Sequence, residues 1–401
     1  MKQYSEHNFE QCTKCTVCTV YCPVAAVNPL YPGPKQAGPD GERLRLKGVA
    51  YYDPAIEMCL NCKRCEVACP SEVRIGDIIH SARIKHSTKR PGLREFTLAN
   101  TDLVGSVATV VAPVVNATLG LKPVRKVVEG VMKIDHRRIF PKYAFGTFEG
   151  WLKGQRKAQA LYAKQLAYFH GCYVNYNNPD LGKAFVKVAN ALGYGVQLLE
   201  KEKCCGVALI SNGFVEQAKK QAKTNIKSIT KATEQKLKVV ATSSTCTFTL
   251  RDEYDHLLGL DNSAIRDNID LATRFIYELL ADGNQRLEFK SDAPHLRVAY
   301  HSACHMERMG WTKYSIELLK LIPNVELVQL ESQCCGIAGT YGFKKENYET
   351  SQNIGEPLFK AIEASECDVV STDCETCKWQ IEMSTSKEVI HPLSILAQAL
   401  E

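Results

Sequence analysis

The chain is 401 residues long, with 18 cysteines, 45 % hydrophobic and 23 % charged residues, and a formal net charge of +6. A chain of that length buries a core without disulfide staples and has room for two or three domains. Its apolar and charged fractions exclude a disordered or collagen-like polymer. The mild, dispersed positive charge argues against nucleic acid and leaves an anionic membrane surface or an acidic partner. Met1 to Glu10 carries no apolar h-region and no twin arginine. The chain is therefore read as retained inside the cell, where thiols serve metals or redox chemistry rather than disulfides.

The first motif is Cys12-x-x-Cys15-x-x-Cys18-x-x-x-Cys22-Pro23, and it recurs as Cys59-x-x-Cys62-x-x-Cys65-x-x-x-Cys69-Pro70. Thiolates at i, i+3 and i+6 wrap one cubane from a tight loop, and in two-cluster proteins with this run the fourth cysteine serves the other cluster. That rule groups Cys12, Cys15, Cys18 and Cys69 on one [4Fe–4S] cluster, and Cys59, Cys62, Cys65 and Cys22 on a second. Zinc ribbons place thiolate pairs on either side of longer loops and do not pack four into such a run.

Residues 70–171 contain no cysteine. Within them, Leu103 to Leu121 is uncharged, and as a helix it would measure about 28 Å. Ser106, Thr109, Pro113 and Asn116 recur on one side, opposite Val104, Val107, Val111 and Val115. In Lys122 to Ile134 the spacing predicts an amphipathic helix with Val124, Val127, Val128 and Val131 opposite Lys122, Arg125, Lys126 and Lys133. An apolar helix interrupted by proline, followed by a basic amphipathic one, suits a membrane interface better than a full span. Packing of both stripes on the protein core is the alternative.

The remainder is a duplication. His170-Gly171-Cys172, Cys204-Cys205-Gly206 and Cys246 are followed by His301-Ser302-Ala303-Cys304, Cys334-Cys335-Gly336 and Cys374-Glu375-Thr376-Cys377. The offsets 304 − 172 = 132 and 334 − 204 = 130 make this a repeated domain, not a solenoid. Leu166–Phe169, Lys238–Ala241, Leu296–Tyr300 and Cys367–Val370 read as buried strands. Leu181–Leu192, Val215–Ala232, Thr312–Leu321 and Glu356–Ala364 show helical spacing. The alternation predicts α/β modules with parallel sheets, whose ligands gather at the carboxyl ends of strands. Cys172, Cys246, Cys304 and Cys374 each follow a predicted strand.

Vicinal cysteines reach one centre only if the backbone turns sharply, which Gly206 and Gly336 permit. The second module offers five thiols: Cys304, Cys334, Cys335, Cys374 and Cys377. The first offers Cys172, Cys204, Cys205 and Cys246, with Thr249 where the fifth would stand, so buried free thiols or a redox dithiol stay open there. His170, His301 and His305 flank these thiols as hydrogen-bonding partners rather than ligands. Cys367, in a predicted strand, reads as a small hydrophobe. No G-x-G-x-x-G follows a predicted strand and no phosphate-binding P-loop occurs, so flavin, NAD and ATP sites are expected on partners instead.

The doubled ferredoxin run followed by two cysteine–cysteine–glycine modules resembles the electron-transfer proteins related to the B subunit of heterodisulfide reductase. The resemblance is nearest to the iron–sulfur subunits of anaerobic glycerol-3-phosphate dehydrogenases. Tyr31 to Leu46, Cys334 through Asn347, and Thr372 to Met383 carry it. It implies a noncubane [4Fe–4S] cluster on the second module's five cysteines, with a similar cluster in the four-thiol first module left in doubt. It also implies flavin-containing catalytic subunits that oxidise glycerol 3-phosphate, menaquinone or ubiquinone as acceptor, and a peripheral position on the cytoplasmic face of the inner membrane. The expected fold is α+β and multidomain: a helical two-[4Fe–4S] ferredoxin-like domain (1–98), an apolar and basic linker (99–165), and two duplicated α/β CCG domains (166–290 and 291–401). No residue is expected to act as acid, base or nucleophile. The rival readings are an iron–sulfur subunit for glycolate or lactate oxidation, and a self-contained heterodisulfide-type reductase.

Overall fold

The computed structural model describes residues 8–47, 53–283 and 285–401; His7 and the residues before it, in the stretch read for a targeting signal, lie outside that set. Eight strands are present among the described residues: β1 (Lys164–Phe169), β2 (Tyr194–Leu198), β3 (Lys238–Ala241), β4 (Ile269–Leu271), β5 (Leu296–Tyr300), β6 (Val325–Gln329), β7 (Val369–Ser371) and β8 (Glu388–Ile390). They form two four-stranded sheets of matching order, β2-β1-β3-β4 and β6-β5-β7-β8. Every pairing is parallel, with Leu166 beside Val196 and Lys238 in one sheet and Val298 beside Leu327 and Val369 in the other. The central strands are buried on both faces, as crossover helices require. Three of the expected strands lie within β1, β3 and β5, while the fourth moves to Val369–Ser371. Four strands are unexpected: β4 and β8 span three residues each, too few to show a period, and the edge strands β2 and β6, five residues each, are partly exposed and carry no purely apolar run.

Helix Pro179–Ala191 starts sharply because Asn178 accepts the Leu181 N–H at 3.2 Å and Pro179 presets the first turn. It buries Leu181, Phe185, Val188 and Ala189 on one stripe against the last helix, Pro392–Ala399. That helix begins the same way, with His391 Nδ1 accepting the Leu393 N–H at 3.1 Å ahead of Pro392. Reciprocally, helix Ala272–Ala281 of the first module packs on helix Thr312–Lys320 of the second. Exchanged contacts of this kind relate the modules by a pseudo-two-fold, as in an isologous dimer.

At the centre of that relation the carboxyl ends of β3 and β7 meet. Ser244 donates its backbone N–H (3.0 Å) and its hydroxyl (2.9 Å) to the Asp373 carbonyl. The fully buried Asp373 carboxylate accepts from Tyr300 Oη at 2.7 Å and from Thr273 Oγ1 and Ser315 Oγ at 3.0 Å each. His391 Nε2 donates to the Thr242 carbonyl at 2.9 Å.

The N-terminal part is built of short helices, including Val17–Val20, Pro23–Val27 and Arg64–Val67, with the longer helix Ile75–His86 beneath them. Its core of Val24, Tyr31, Ile56, Val73, Ile75, Ile78 and Ile79 continues into Cys334 and Ile354 of the second module. Between the halves, the apolar segment is not one rod. It breaks at Val111 into helices Thr101–Val110 and Ala112–Gly120, bent by 104°, and no single described helix is long and apolar enough to cross a membrane. Pro113 lacks an N–H and its ring would strike the carbonyl of Thr109 in a continuous helix.

The faces expected for these helices need correction. The inward face of the bent pair carries Gly105, Ala108, Thr109 and Ala112, while Leu103, Val107, Val110, Val111 and Val114 are exposed. Thr109 is thus buried, and Asn116 turns in to clasp the Tyr143 backbone, accepting its N–H at 2.9 Å and donating to its carbonyl at 2.8 Å. Small side chains admit the close approach to the first module that valines would block. In helix Lys122–Met132, Val128 and Met132 pack on the core, whereas Val127 and Val131 face out beside Lys126. Arg125 points inward and donates to the Arg138 carbonyl at 3.1 Å, so it leaves the basic face.

Replacing Asp373 by alanine strands three buried hydroxyls, so Asp373→Ala should cost about 3–5 kcal/mol, and Asp373→Asn roughly half of that. The midpoint of denaturant unfolding reads both.

Candidate metal centres

The two ferredoxin-type loops fold alike because the same positions take left-handed backbone. Lys14 and Thr16 in the first (φ 60° and 66°) match Asn61 and Lys63 in the second (φ 55° and 62°). Alternating right- and left-handed residues turn successive amides inward, forming concavities suited to an anionic group. The sulfurs around Cys18, whose thiol is pushed up chiefly by burial, are those of Cys12, Cys69 and Cys15. Burial likewise pushes Cys22 up to about 12, and its sulfur neighbours are Cys62 and Cys59. Cys65, also raised by burial, sits among Cys62, Cys59 and Cys22. The fold therefore gathers Cys12, Cys15, Cys18 and Cys69 in one place, and Cys22, Cys59, Cys62 and Cys65 in another. Tyr31 brings a buried hydroxyl without an oxygen or nitrogen partner to the second set. Thiols in two such nests, with a polar atom left over, fit an iron–sulfur group in each.

The second loop is wedged between the modules. Lys63 is buried and pairs with Asp77 and with Glu66 at 3.6 Å. Glu66 in turn accepts from Arg308 Nε at 2.9 Å. Arg64 binds Glu307 at 3.0 Å and Ser332 Oγ at 2.8 Å. Asn61 donates to Glu253 at 2.7 Å, and the opposite oxygen of Glu253 accepts from Thr249 at 3.0 Å. Thr249, which stands where a fifth thiol is expected, is thus tied into the seam with the ferredoxin loop.

Each module presents its thiols at the carboxyl ends of its strands. Cys172 lies in the first turn after β1, Cys204 and Cys205 follow β2, and Cys246 sits in helix Ser244–Phe248 after β3. Cys172 and Cys204 have their sulfurs 3.8 Å apart, and Cys205 contacts Cys246. In the second module Cys304, Cys334, Cys335, Cys374 and Cys377 follow β5, β6 and β7, with Cys335 and Cys377 sulfurs 3.3 Å apart. Cys374 is drawn down to about 6, first by its contact with Cys377. The Cys62 and Cys304 thiols interact across the seam, so the second ferredoxin set abuts the second module. One cavity of about 1520 Å³ runs between the modules and is lined by thiols of both, by Cys59 and Cys62, and by Leu103, Val107 and Val111. Cys367 packs in the core at 1 % exposure, away from these thiols' cavity.

The three histidines differ. His170 Nδ1 lies 2.9 Å from the Gly171 carbonyl and 3.2 Å from Glu202, and burial keeps the ring neutral. His305 stacks on Phe248 at 4.6 Å. His301 is buried, with neither ring nitrogen partnered.

Several residues at these centres carry no sequence motif. Glu202 accepts the backbone N–H of Gly171 (2.7 Å) and His170 (3.3 Å), whereas Asp102 accepts that of Cys204 at 2.8 Å. Glu375, held up to about 8 by burial and then by Cys374, accepts from Ser243 at 2.9 Å. Two of them leave a trace in the sequence: Glu375 lies inside the Cys374-x-x-Cys377 spacing, and Glu202 stands two residues before the vicinal cysteines, where the second module has Ser332.

Residues 8–73 match the family model of a 4Fe-4S dicluster domain, and 166–251 and 298–382 each match that of a cysteine-rich domain. Together with the strand-end thiols, these matches define an iron–sulfur protein: a dicluster unit followed by a duplicated cysteine-rich α/β domain. The chain is 62 % identical over 397 residues, covering 99 % of itself and 100 % of the relative, to the C subunit of anaerobic glycerol-3-phosphate dehydrogenase from Escherichia coli strain K12. It belongs to that family of iron–sulfur subunits, and hence to a complex with other subunits. More distant relatives are the B subunit of fumarate reductase (CoM/CoB) from Methanothermobacter marburgensis, 24 % identical over 96 % of this chain and 70 % of that one, and a probable glycolate oxidase iron-sulfur subunit of Bacillus subtilis, 24 % identical over 96 % and 91 %.

The two turn glycines are not equivalent. A Cβ on Gly336 (φ 85°) would lie 2.0 Å from the Ser351 carbonyl oxygen, whereas one on Gly206 (φ 91°) meets nothing nearer than 3.7 Å. Gly206→Ala should cost only the left-handed penalty of about 1–2 kcal/mol. Gly336→Ala must in addition push back the Ser351 backbone, so it should lower the midpoint of denaturant unfolding markedly more than Gly206→Ala.

Proposed function

We propose that this chain carries electrons from the flavin-containing catalytic subunits that oxidise glycerol 3-phosphate to a membrane quinone, menaquinone or ubiquinone, and helps hold the complex on the cytoplasmic face of the inner membrane. Cys12, Cys15, Cys18 and Cys69 would hold one [4Fe–4S] cubane and Cys22, Cys59, Cys62 and Cys65 another. Cys304, Cys334, Cys335, Cys374 and Cys377 would hold a noncubane cluster. Cys172, Cys204, Cys205 and Cys246 form the site where a further one is to be sought. Bound there, iron–sulfur groups supply one-electron transfer, the link between a two-electron flavin and a quinone. We keep the division 1–98, 99–165, 166–290 and 291–401 for the parts that do this.

The observation that carries the reading is the contact of Cys62 with Cys304, which leaves no gap between the ferredoxin sets and the paired modules. The buried Lys63, Glu66 and Asp77, with the half-buried Arg308, hold that seam in register. The membrane part rests on the exposed Leu103, Val107, Val110, Val114, Val127 and Val131, flanked by Lys122, Lys126 and Lys133. Isolated exposed apolar residues need no explanation, but six on three successive helices, with exposed lysines on the last, suit anionic lipid. Leu103, Val107 and Val111 are exposed and line the cavity as well, so an apolar acceptor has a way in from that face.

Anaerobically purified protein should contain about twelve or more irons with matching sulfide, while about eight would confine metal to the cubanes. Co-purification with a glycolate- or lactate-oxidising flavoprotein would displace the choice of partner. Turnover of a disulfide by the isolated chain with reduced viologen would favour a self-contained reductase. Flotation with anionic liposomes tests the membrane face: the Lys122→Glu, Lys126→Glu, Lys133→Glu variant should float several-fold less, and unchanged flotation would remove the anchor.

A further inference from the structure

The imidazole of His301 lies within 4.8 Å of the sulfurs of Cys335 and Cys377, and all three side chains are buried. Its backbone is fixed at the end of β5, where its N–H donates to the Ser371 carbonyl at 2.9 Å, which holds the residue beside those sulfurs. Both ring nitrogens lack a partner, yet a neutral imidazole carries one N–H that must be satisfied when buried. The sulfurs of Cys335 and Cys377 are the ligand-type atoms the fold sets beside the ring, so a small turn of the side chain would bring its N–H onto one of them. In the first module the matching ring of His170 is occupied by the Gly171 carbonyl and Glu202. Ser332 replaces Glu202 in the second module, and its hydroxyl is engaged with Arg64 at 2.8 Å. The two modules therefore share a histidine after the first strand but use it differently.

We propose that His301 donates its imidazole N–H to the thiolate sulfur of Cys335 or Cys377 and so sets the potential of the group held by the second module. This rests on the reading that the five thiols hold an iron–sulfur cluster. Five thiols already exceed the four irons of one cluster, so the ring is not needed as a ligand. A hydrogen bond to a cluster sulfur favours the state carrying more negative charge, which is the reduced one. His301 is a positioning and tuning residue, not a catalytic one.

The test is a redox titration followed by electron paramagnetic resonance on the full chain, purified anaerobically with its partner subunits. The wild type is compared with His301→Ala, His301→Gln and His170→Ala, and iron is counted in each. His301→Ala should keep its iron and shift the second module's midpoint to more negative potential. His301→Gln, which restores an N–H donor, should recover part of that shift, and His170→Ala should leave this midpoint in place. An unmoved midpoint in His301→Ala overturns the proposal, and so does loss of about four irons, which would make the ring a ligand. A wild type with only about eight irons would instead overturn the cluster reading on which it stands.

Discussion

The contact between Ser244 and Asp373 fixes where everything else can go. A parallel sheet offers ligand sites only at the carboxyl ends of its strands, and a single four-stranded sheet leaves that edge open to water. By binding the Asp373 carbonyl, Ser244 joins two such edges head to head. The Asp373 carboxylate, held by Tyr300, Thr273 and Ser315, keeps that backbone rigid from below. A buried carboxylate is tolerated because three hydroxyls replace its water. The result is one enclosed space bordered by thiols of both modules, where neither module alone has walls enough to exclude solvent.

The ferredoxin-type part depends on the same space. Its second loop does not sit on the outside; Cys62 reaches Cys304, while Asn61 and Lys63 sit beside Glu253. This gives Thr249 a physical role. A fifth thiol there would forgo the hydroxyl that satisfies Glu253, and a buried glutamate without its donors is costly. Both modules meet the ferredoxin loop, but at this position they have diverged: the first gives Thr249 to Glu253 on the seam, while the second, which meets the loop through Glu307, Arg308 and Ser332, keeps the full thiol set.

Much of the site is legible in the sequence because thiol spacing is a local property. The i, i+3, i+6 pattern is answered by paired left-handed residues at matching positions in both loops, and the cysteine–cysteine–glycine turns by positive φ at Gly206 and Gly336. The parallel sheets follow from alternation of apolar runs and helical stripes. What misled was periodicity without context. In Leu103–Leu121 the spacing sets Thr109 and Asn116 opposite Val104, Val107, Val111 and Val115, yet Thr109 is buried, Asn116 turns in, and of those valines Val107 and Val111 are exposed while Val104 and Val115 are half-buried. In Lys122–Met132 a periodicity count places Arg125 among the exposed bases, although its long side chain reaches in to Arg138.

The cysteine runs and the strand–helix alternation are legible in the sequence because each is set by spacing within a few turns of chain, and the duplication because those local spacings recur at offsets of 130 and 132 residues. Tertiary packing alone sets which histidine is occupied and which is free, which face of the apolar helices meets solvent, and how the ferredoxin loop wedges between the two modules. Those outcomes depend on residues far apart in sequence, Glu202 with His170, Asn61 with Glu253, Cys62 with Cys304. A side chain's partner across such distances is chosen by packing, and packing leaves no period to read.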